Sequence, residues 1–272
     1  MKKQKSANRD FTENSLPHNR VEVFFDVLKQ RYDVLLKIGA LLLVFLLPTL
    51  IVGLIGDVTY LNVLSEGQAS EAELAALNQT FTLINVGPIA FFGLGLAGAM
   101  KVVRNLVWGE PVFFWKDYFS GIKQNRLIYV FVFLIFALVK LLLSYLNALI
   151  PSDLLRALPS AICLVFLAPI GMFELSATVV YKDGFLSLLG NSVKFFVKSA
   201  PVCFVFVLVL AGAFLIDYIE LFILRCVLKV LAIVLFLPLY ILAWTLFSHR
   251  VFDKMVNTAL YPDYVDKGIY RS

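Results

Sequence analysis

Six stretches of this chain, 38–55, 81–100, 127–150, 157–181, 200–215 and 230–247, are apolar almost without interruption. Each approaches the roughly 20 residues that a helix needs to cross a bilayer. They are apolar on every residue rather than on alternate ones, so they read as spanning helices and not as barrel strands. Composition agrees: 60% of the 272 residues are hydrophobic and only 16% are charged. A soluble domain carries roughly a quarter charged residues, so this chain has too little polar surface for a soluble globule. The predicted fold class is an all-α integral membrane protein with six transmembrane helices.

The basic residues set an orientation. All but Lys140, Arg156, Arg225 and Lys229 of the 24 lysines and arginines fall in the N-terminal segment, after the second and fourth spans, or in the tail. Under the positive-inside rule both termini are cytoplasmic. The first outer loop carries only acids, Asp57, Glu66, Glu71 and Glu73. The expected layout is a cytoplasmic N-terminal segment over 1–37, a six-span domain over 38–247 and a cytoplasmic tail over 248–272. About 37 polar or amphipathic residues precede the first span, so a cleavable signal peptide is not expected. A net charge of +5 suits a surface facing anionic lipid. The bilayer is the expected partner, and nucleic acid is not.

Three cytoplasmic segments, 21–37, 111–124 and 185–198, have polar residues at steps of three and four and apolar residues opposite. Each reads as an amphipathic interfacial helix running into an outward span. The chain can thus be written as three helix-hairpin repeats. In the second segment Phe114, Trp115, Tyr118 and Phe119 form the apolar side, a candidate interface for lipid or for a partner. Outside, Ser70-Glu-Ala-Glu73 is a capping-box pattern that starts a short acidic helix before span two.

Residues 93–98 read GLGLAG, which matches G-x-G-x-x-G. A dinucleotide site needs that turn between a strand and a helix, with the pyrophosphate in water. Here the glycines lie inside a continuous apolar run, so no cofactor is expected. Gly93 with Ala97 and Gly95 with Ala99 follow small-xxx-small spacing instead, which lets helix backbones approach closely. They are the predicted helix-packing face.

Charges inside spans are costly and mark cavities or bundle interiors. Lys140 and Glu174 are the candidate intramembrane polar site. Counted from the cytoplasmic ends of their spans they differ in depth by roughly 9 Å at 1.5 Å per residue. A direct pair needs offset spans or a kink at Pro169. Asp217 and Glu220, with Arg225 and Lys229 nearby, read as a solvated outer boundary. Cys163, Cys203 and Cys226 lie in apolar runs with no metal-binding spacing. No H-E-x-x-H, G-x-S-x-G or P-loop pattern occurs, and the two histidines lie in opposite terminal segments. An enzyme is not expected, nor are catalytic or metal-binding residues.

Leu47-Pro48-Thr49, Asn85-Val-Gly87-Pro88, Phe92-Gly93, Trp108-Gly109-Glu110 and the segment from Asp117 to Asn125 follow one another in an order that resembles the YesL-like family. This is a family of bacterial multi-span membrane proteins of unknown function. The similarity is clearest over about residues 35–130. Members are often encoded beside carbohydrate ABC-transporter permeases, so the resemblance implies an accessory or scaffolding role in solute uptake in the plasma membrane. Permease subunits or self-association are the implied contacts. The alternative is a small-solute transporter or channel acting as a homo-oligomer.

Overall fold

The computed structural model describes residues 16–65, 70–150, 152–181, 183–219 and 221–270. Lys2, Lys3, Lys5, Arg9, Glu66, Lys182, Glu220, Arg271 and the side chain of Asp217 lie outside the described residues. Those described form helices and short turns, with no strand. They are α1 (Arg20–Gln30), α2 (Tyr32–Ser65), α3 (Glu71–Ile84), α4 (Val86–Val107), α5 (Phe114–Leu149) and α6 (Asp153–Val180). Then come α7 (Phe185–Phe214), α8 (Phe222–Leu231), α9 (Leu237–Phe252) and α10 (Thr258–Leu260). Six helical stretches are long and apolar enough to cross a membrane, with α3–α4 and α8–α10 each counting as one. The chain is an all-α, multi-span membrane protein. Both described terminal segments lie at one end of the bundle, here the near end.

The apolar blocks mark the spans, but the helices overrun them. The 36 residues of α5 extend about 54 Å at 1.5 Å per residue, against a hydrocarbon core of about 30 Å. The first interfacial helix stops at Arg31 (φ −132°, ψ 25°), not at 37. The second is not separate, because α5 runs unbroken from Phe114 through the span; no proline or glycine separates 122 from 127. The third joins its span at a kink at Ser199 (φ −124°, ψ 17°), just before Pro201. The three units are therefore alike in order but not in how helix meets span. The Ser70–Glu73 capping box forms as expected.

Residues 248–257 are not a tail. The last span continues through His249, Asp253 and Asn257, all buried, before the chain turns back.

The glycine run of α4 sits at the centre. A Cβ at Gly98 would meet the Tyr118 ring at 2.8 Å, and one at Gly93 would meet the Tyr129 carbonyl at 3.0 Å, both on α5. On the other side a Cβ at Gly95 would meet the Phe45 ring of α2 at 2.6 Å. Ala97 and Ala99 are fully buried. The predicted packing face is thus two faces, α4 being pressed between α5 and α2. Tyr118 locks the register by donating its hydroxyl to the Gly95 carbonyl at 2.9 Å.

The bundle closes where α2 meets the last span. Pro238 has no N–H for the carbonyl of Val234, four residues earlier, and its ring crowds that carbonyl. The helix widens there into a π-turn, Ala232–Phe236. The displaced Val234 carbonyl fills the space where a Cβ of Gly39 would be, 2.0 Å away. Gly39→Ala should therefore destabilise the fold by about 1–3 kcal/mol, the cost of overpacking, and lower the thermal midpoint in detergent. Gly212→Ala meets nothing within 4 Å and should leave it unchanged or raise it. Equal midpoints for the two variants would contradict this packing.

Candidate functional site

The two intramembrane charges lie in different places. Glu174 on α6 is fully buried and faces α7, where the Ser192 hydroxyl is 3.1 Å from Oε2. That hydroxyl lies 2.8 Å from the Leu188 carbonyl as well, and Glu174 Oε1 has no partner among the described residues. Lys140 on α5 is exposed and lines a cleft toward the far end, with no hydrogen bond or ion pair among the described residues. No contact joins the two, so the pairing that the sequence left open does not form.

The cleft around Lys140 has a clear structural cause. Pro88 cannot donate to the Ile84 carbonyl, and the second span breaks at Asn85 between α3 and α4. Pro48 lies inside α2, which stays helical through it. Gly56 packs on Phe81 and Gly95 on Phe45, so Pro48 and Pro88 both lie between these contacts, in antiparallel helices. Above that level α2, α3 and α5 leave a cavity of about 260 Å³. Gly53, Asp57 and Tyr60 line it from α2, Asn78, Phe81 and Thr82 from α3, with Asn85 at the break and Lys140 opposite.

Its polar groups are largely uncommitted. Asn85 is 8% exposed, and its Oδ1 is buried without a partner. Thr82 is as buried, and its hydroxyl makes no hydrogen bond among the described residues. Threonines in apolar helices normally return the hydroxyl to a carbonyl one turn back. Thr59, Thr80, Thr178, Thr245 and Thr258 all do so, at 2.6–2.8 Å. The exceptions are Thr82 and Thr49, whose Oγ1 is buried and unpartnered one turn below Gly53. Asp57 has a counter-charge, Arg225 Nη2, at 3.9 Å. Arg225 therefore belongs to α8 and this rim rather than to a solvated loop.

The aromatic segment divides in two. Tyr118 is fully buried and is core, not interface; Phe114 is half-buried, with its ring 5.9 Å from that of Tyr118. Trp115 and Phe119 are 60% and 58% exposed and stack on each other at 6.1 Å, with Phe113 also exposed. The candidate interface shrinks to these outward rings.

A second polar cluster lies at the near end. Helix α4 ends in a Schellman turn: Gly109 (φ 66°) donates to Leu106 and Glu110 to Asn105. Trp108 then lies between two cations, with the Arg104 guanidinium 4.4 Å and the Lys267 ammonium 4.0 Å from its ring. Its indole N–H donates to His249 Nδ1 at 3.1 Å. Glu110 binds Lys267 at 2.7 Å and Arg104 at 3.3 Å. Asp253 pairs with Arg20 and accepts from Asn257, which accepts from the Tyr181 hydroxyl at 2.6 Å. Gly268 (φ 85°) presses on the Val107 carbonyl, and the Tyr270 N–H donates to the Pro17 carbonyl. The segment after α10 is thus docked across the end of α4 and tied to the N-terminal segment. Trp108-Gly109-Glu110 was visible as a motif, but of its side-chain partners only Arg104 is near in sequence; His249 and Lys267 are over 130 residues away.

No protein-family model matches this chain, and no curated protein or solved structure shows significant similarity to it.

Partial burial pushes the Glu110 carboxyl up. The Lys267 hydrogen bond and the Arg104, Lys267 and Lys101 charges outweigh it, so its pKa lies below the ordinary 4.5. A depressed carboxylate pKa stabilises the folded form above the unfolded value and ceases to do so as pH falls through the folded value. Docking of residues 262–270 should hold from neutrality to about pH 4.5 and loosen below it. Hydrogen exchange of that segment measures it. Glu110→Gln should show faster exchange already at pH 7 and lose the acid step, and an unchanged acid step in that variant would exclude Glu110 as its origin.

Proposed function

We propose that this chain is a non-catalytic accessory or scaffolding subunit of a solute-uptake system, for carbohydrate, in a bacterial plasma membrane, with both termini cytoplasmic. The observation that carries this reading is the separation of Lys140 from Glu174. Carriers build their coupling sites from charges that converge near the bilayer midplane. Here one charge is sealed against Ser192 and the other lies in a cleft at the far end. The exposed Phe113, Trp115 and Phe119 at the near end of α5 supply a rigid aromatic surface for permease subunits. The resemblance to the YesL-like family supports the same role. A homo-oligomeric small-solute carrier is the second reading, favoured by the break of the second span at Asn85, ahead of Pro88, beside the Lys140 cleft.

Purification in mild detergent from cells grown on plant polysaccharide should bring permease subunits with the tagged chain in fixed ratio. Trp115→Ala combined with Phe119→Ala should release them, and Lys140→Gln should not. A homo-oligomer free of permease, with solute uptake lost in Lys140 and Glu174 variants, would establish the carrier instead. Orientation is tested separately, after replacing the three native cysteines with serine. A cysteine at position 73 should react with an impermeant maleimide on intact cells, and one at 120 should not. The reverse pattern would invert the topology.

A further inference from the structure

The geometry points to the cleft between α2, α3 and α5 as a binding site for a phosphate group flanked by hydroxyls, with Lys140 as its counter-ion and Asn85 and Thr82 holding the hydroxyls. Its depth comes from counting. The near-end basic belt runs through Lys37, Lys101 and Arg126. About 20 residues further, one hydrocarbon thickness, are Asp57, Phe81 and Leu146. Asp57 and Asn78 are therefore at the far boundary. Lys140 lies about 9 Å and Asn85 about 6 Å inside it, at 1.5 Å per residue. An ammonium at that depth is costly without an anion, and no described residue provides one to Lys140. Asp57, the one acid in the lining, is at the rim beside Arg225.

The donor set narrows the ligand. A single lysine is a compact point charge suited to phosphate, whereas carboxylate recognition favours the planar fork of arginine. Asn85 Oδ1 accepts only, so the ligand must also bring a donor. An amine would place a second cation beside Lys140, which leaves hydroxyls. The Thr82 hydroxyl and the Asn78 amide, neither bonded within the described residues, can serve the ligand's remaining oxygens. At about 260 Å³ the cavity is below the roughly 300–1,000 Å³ of drug-sized sites, so it takes a head group and not a whole lipid. That head group can come from a glycerol-bearing phospholipid of the facing leaflet or from a soluble polyol phosphate.

The test uses the full chain in a neutral maltoside detergent. Native mass spectrometry measures binding of phosphatidylglycerol and of phosphatidylcholine with the same acyl chains, and thermal shift measures glycerol 3-phosphate. Phosphatidylglycerol, net anionic and bearing hydroxyls, should bind at least about tenfold more tightly than phosphatidylcholine, whose quaternary ammonium would sit beside Lys140 and which has no hydroxyl for Asn85. Lys140→Gln, at an exposed position, should abolish the preference, and Lys123→Gln at the near end should keep it. Asn85→Asp, which sets a carboxylate against the phosphate, should abolish it as well; if that variant does not fold, Thr82→Val should weaken binding several-fold. A preference confined to the lipid identifies a head-group site, and a Lys140-dependent shift with glycerol 3-phosphate identifies a soluble ligand. Equal binding of the two lipids with no glycerol 3-phosphate shift, or a preference that survives Lys140→Gln, would overturn the assignment.

Discussion

The close approach of α4 to α5 and α2 governs this structure. Within a bilayer, apolar surface gains little by touching apolar surface, so association rests on dispersion contacts and on what lets backbones come near. Gly93, Gly95 and Gly98 leave space that α5 fills with Tyr118 and the Tyr129 backbone, and α2 with Phe45. The hydrogen bond from Tyr118 to the Gly95 carbonyl then fixes the register. The level of Lys140 follows from that register, since each step along α5 from Tyr118 is matched by one back along α4. Lys140, 11 residues beyond Tyr129, reaches the level of Thr82, 11 residues before Gly93, because Gly93 meets Tyr129. A slip of one turn would move the lysine about 5.4 Å along the bundle axis, away from that level.

Much of this was legible in the chain. The six spans follow from hydrophobic blocks, since only helices satisfy a backbone in hydrocarbon segment by segment. The small-residue face was readable because spacing alone specifies it. Burial within an amphipathic segment was not. Tyr118 and Trp115 are equivalent in composition, but Gly98 opens a pocket under one and nothing covers the other. Nor was the fate of residues 248–270, whose polar composition resembles any tail. Their order depends on Lys267 meeting Glu110 and Asp253 meeting Arg20, pairings across most of the chain. The Lys140–Glu174 question stayed open in the sequence because depth counting fixes height but not azimuth; α6 turns Glu174 toward α7 and away from α5.

Prolines shape both interruptions that matter, with different consequences. At Pro238 the displaced carbonyl is received by Gly39, and the break becomes a contact that closes the bundle. At Pro88 no helix closes over the break, and Asn85 and Thr82 face a cavity. The same chemistry thus yields packing in one place and an opening in the other. What differs is whether a glycine stands opposite with a backbone free to approach. Gly53 does stand in the cleft wall, but a Cβ built there meets nothing within 4 Å.

The two ends of the bundle therefore carry their polar groups in opposite states. At the near end Trp108, Glu110, Asp253 and Asn257 are satisfied by other parts of the chain, and a network of that kind makes the end rigid. Its one orphan is a guanidinium nitrogen of Arg20. At the far end Asn85 Oδ1, buried without a partner among the described residues, and the unbonded Thr82 hydroxyl line a cavity whose only unpaired charge among the described residues is Lys140. Buried polar groups without partners cost about 1–3 kcal/mol each. Beside an unpaired ammonium in one cleft, such a group describes a surface completed by something from outside the chain. A rigid near end and an incomplete far end divide the molecule into a part that holds its shape and a part that meets a ligand.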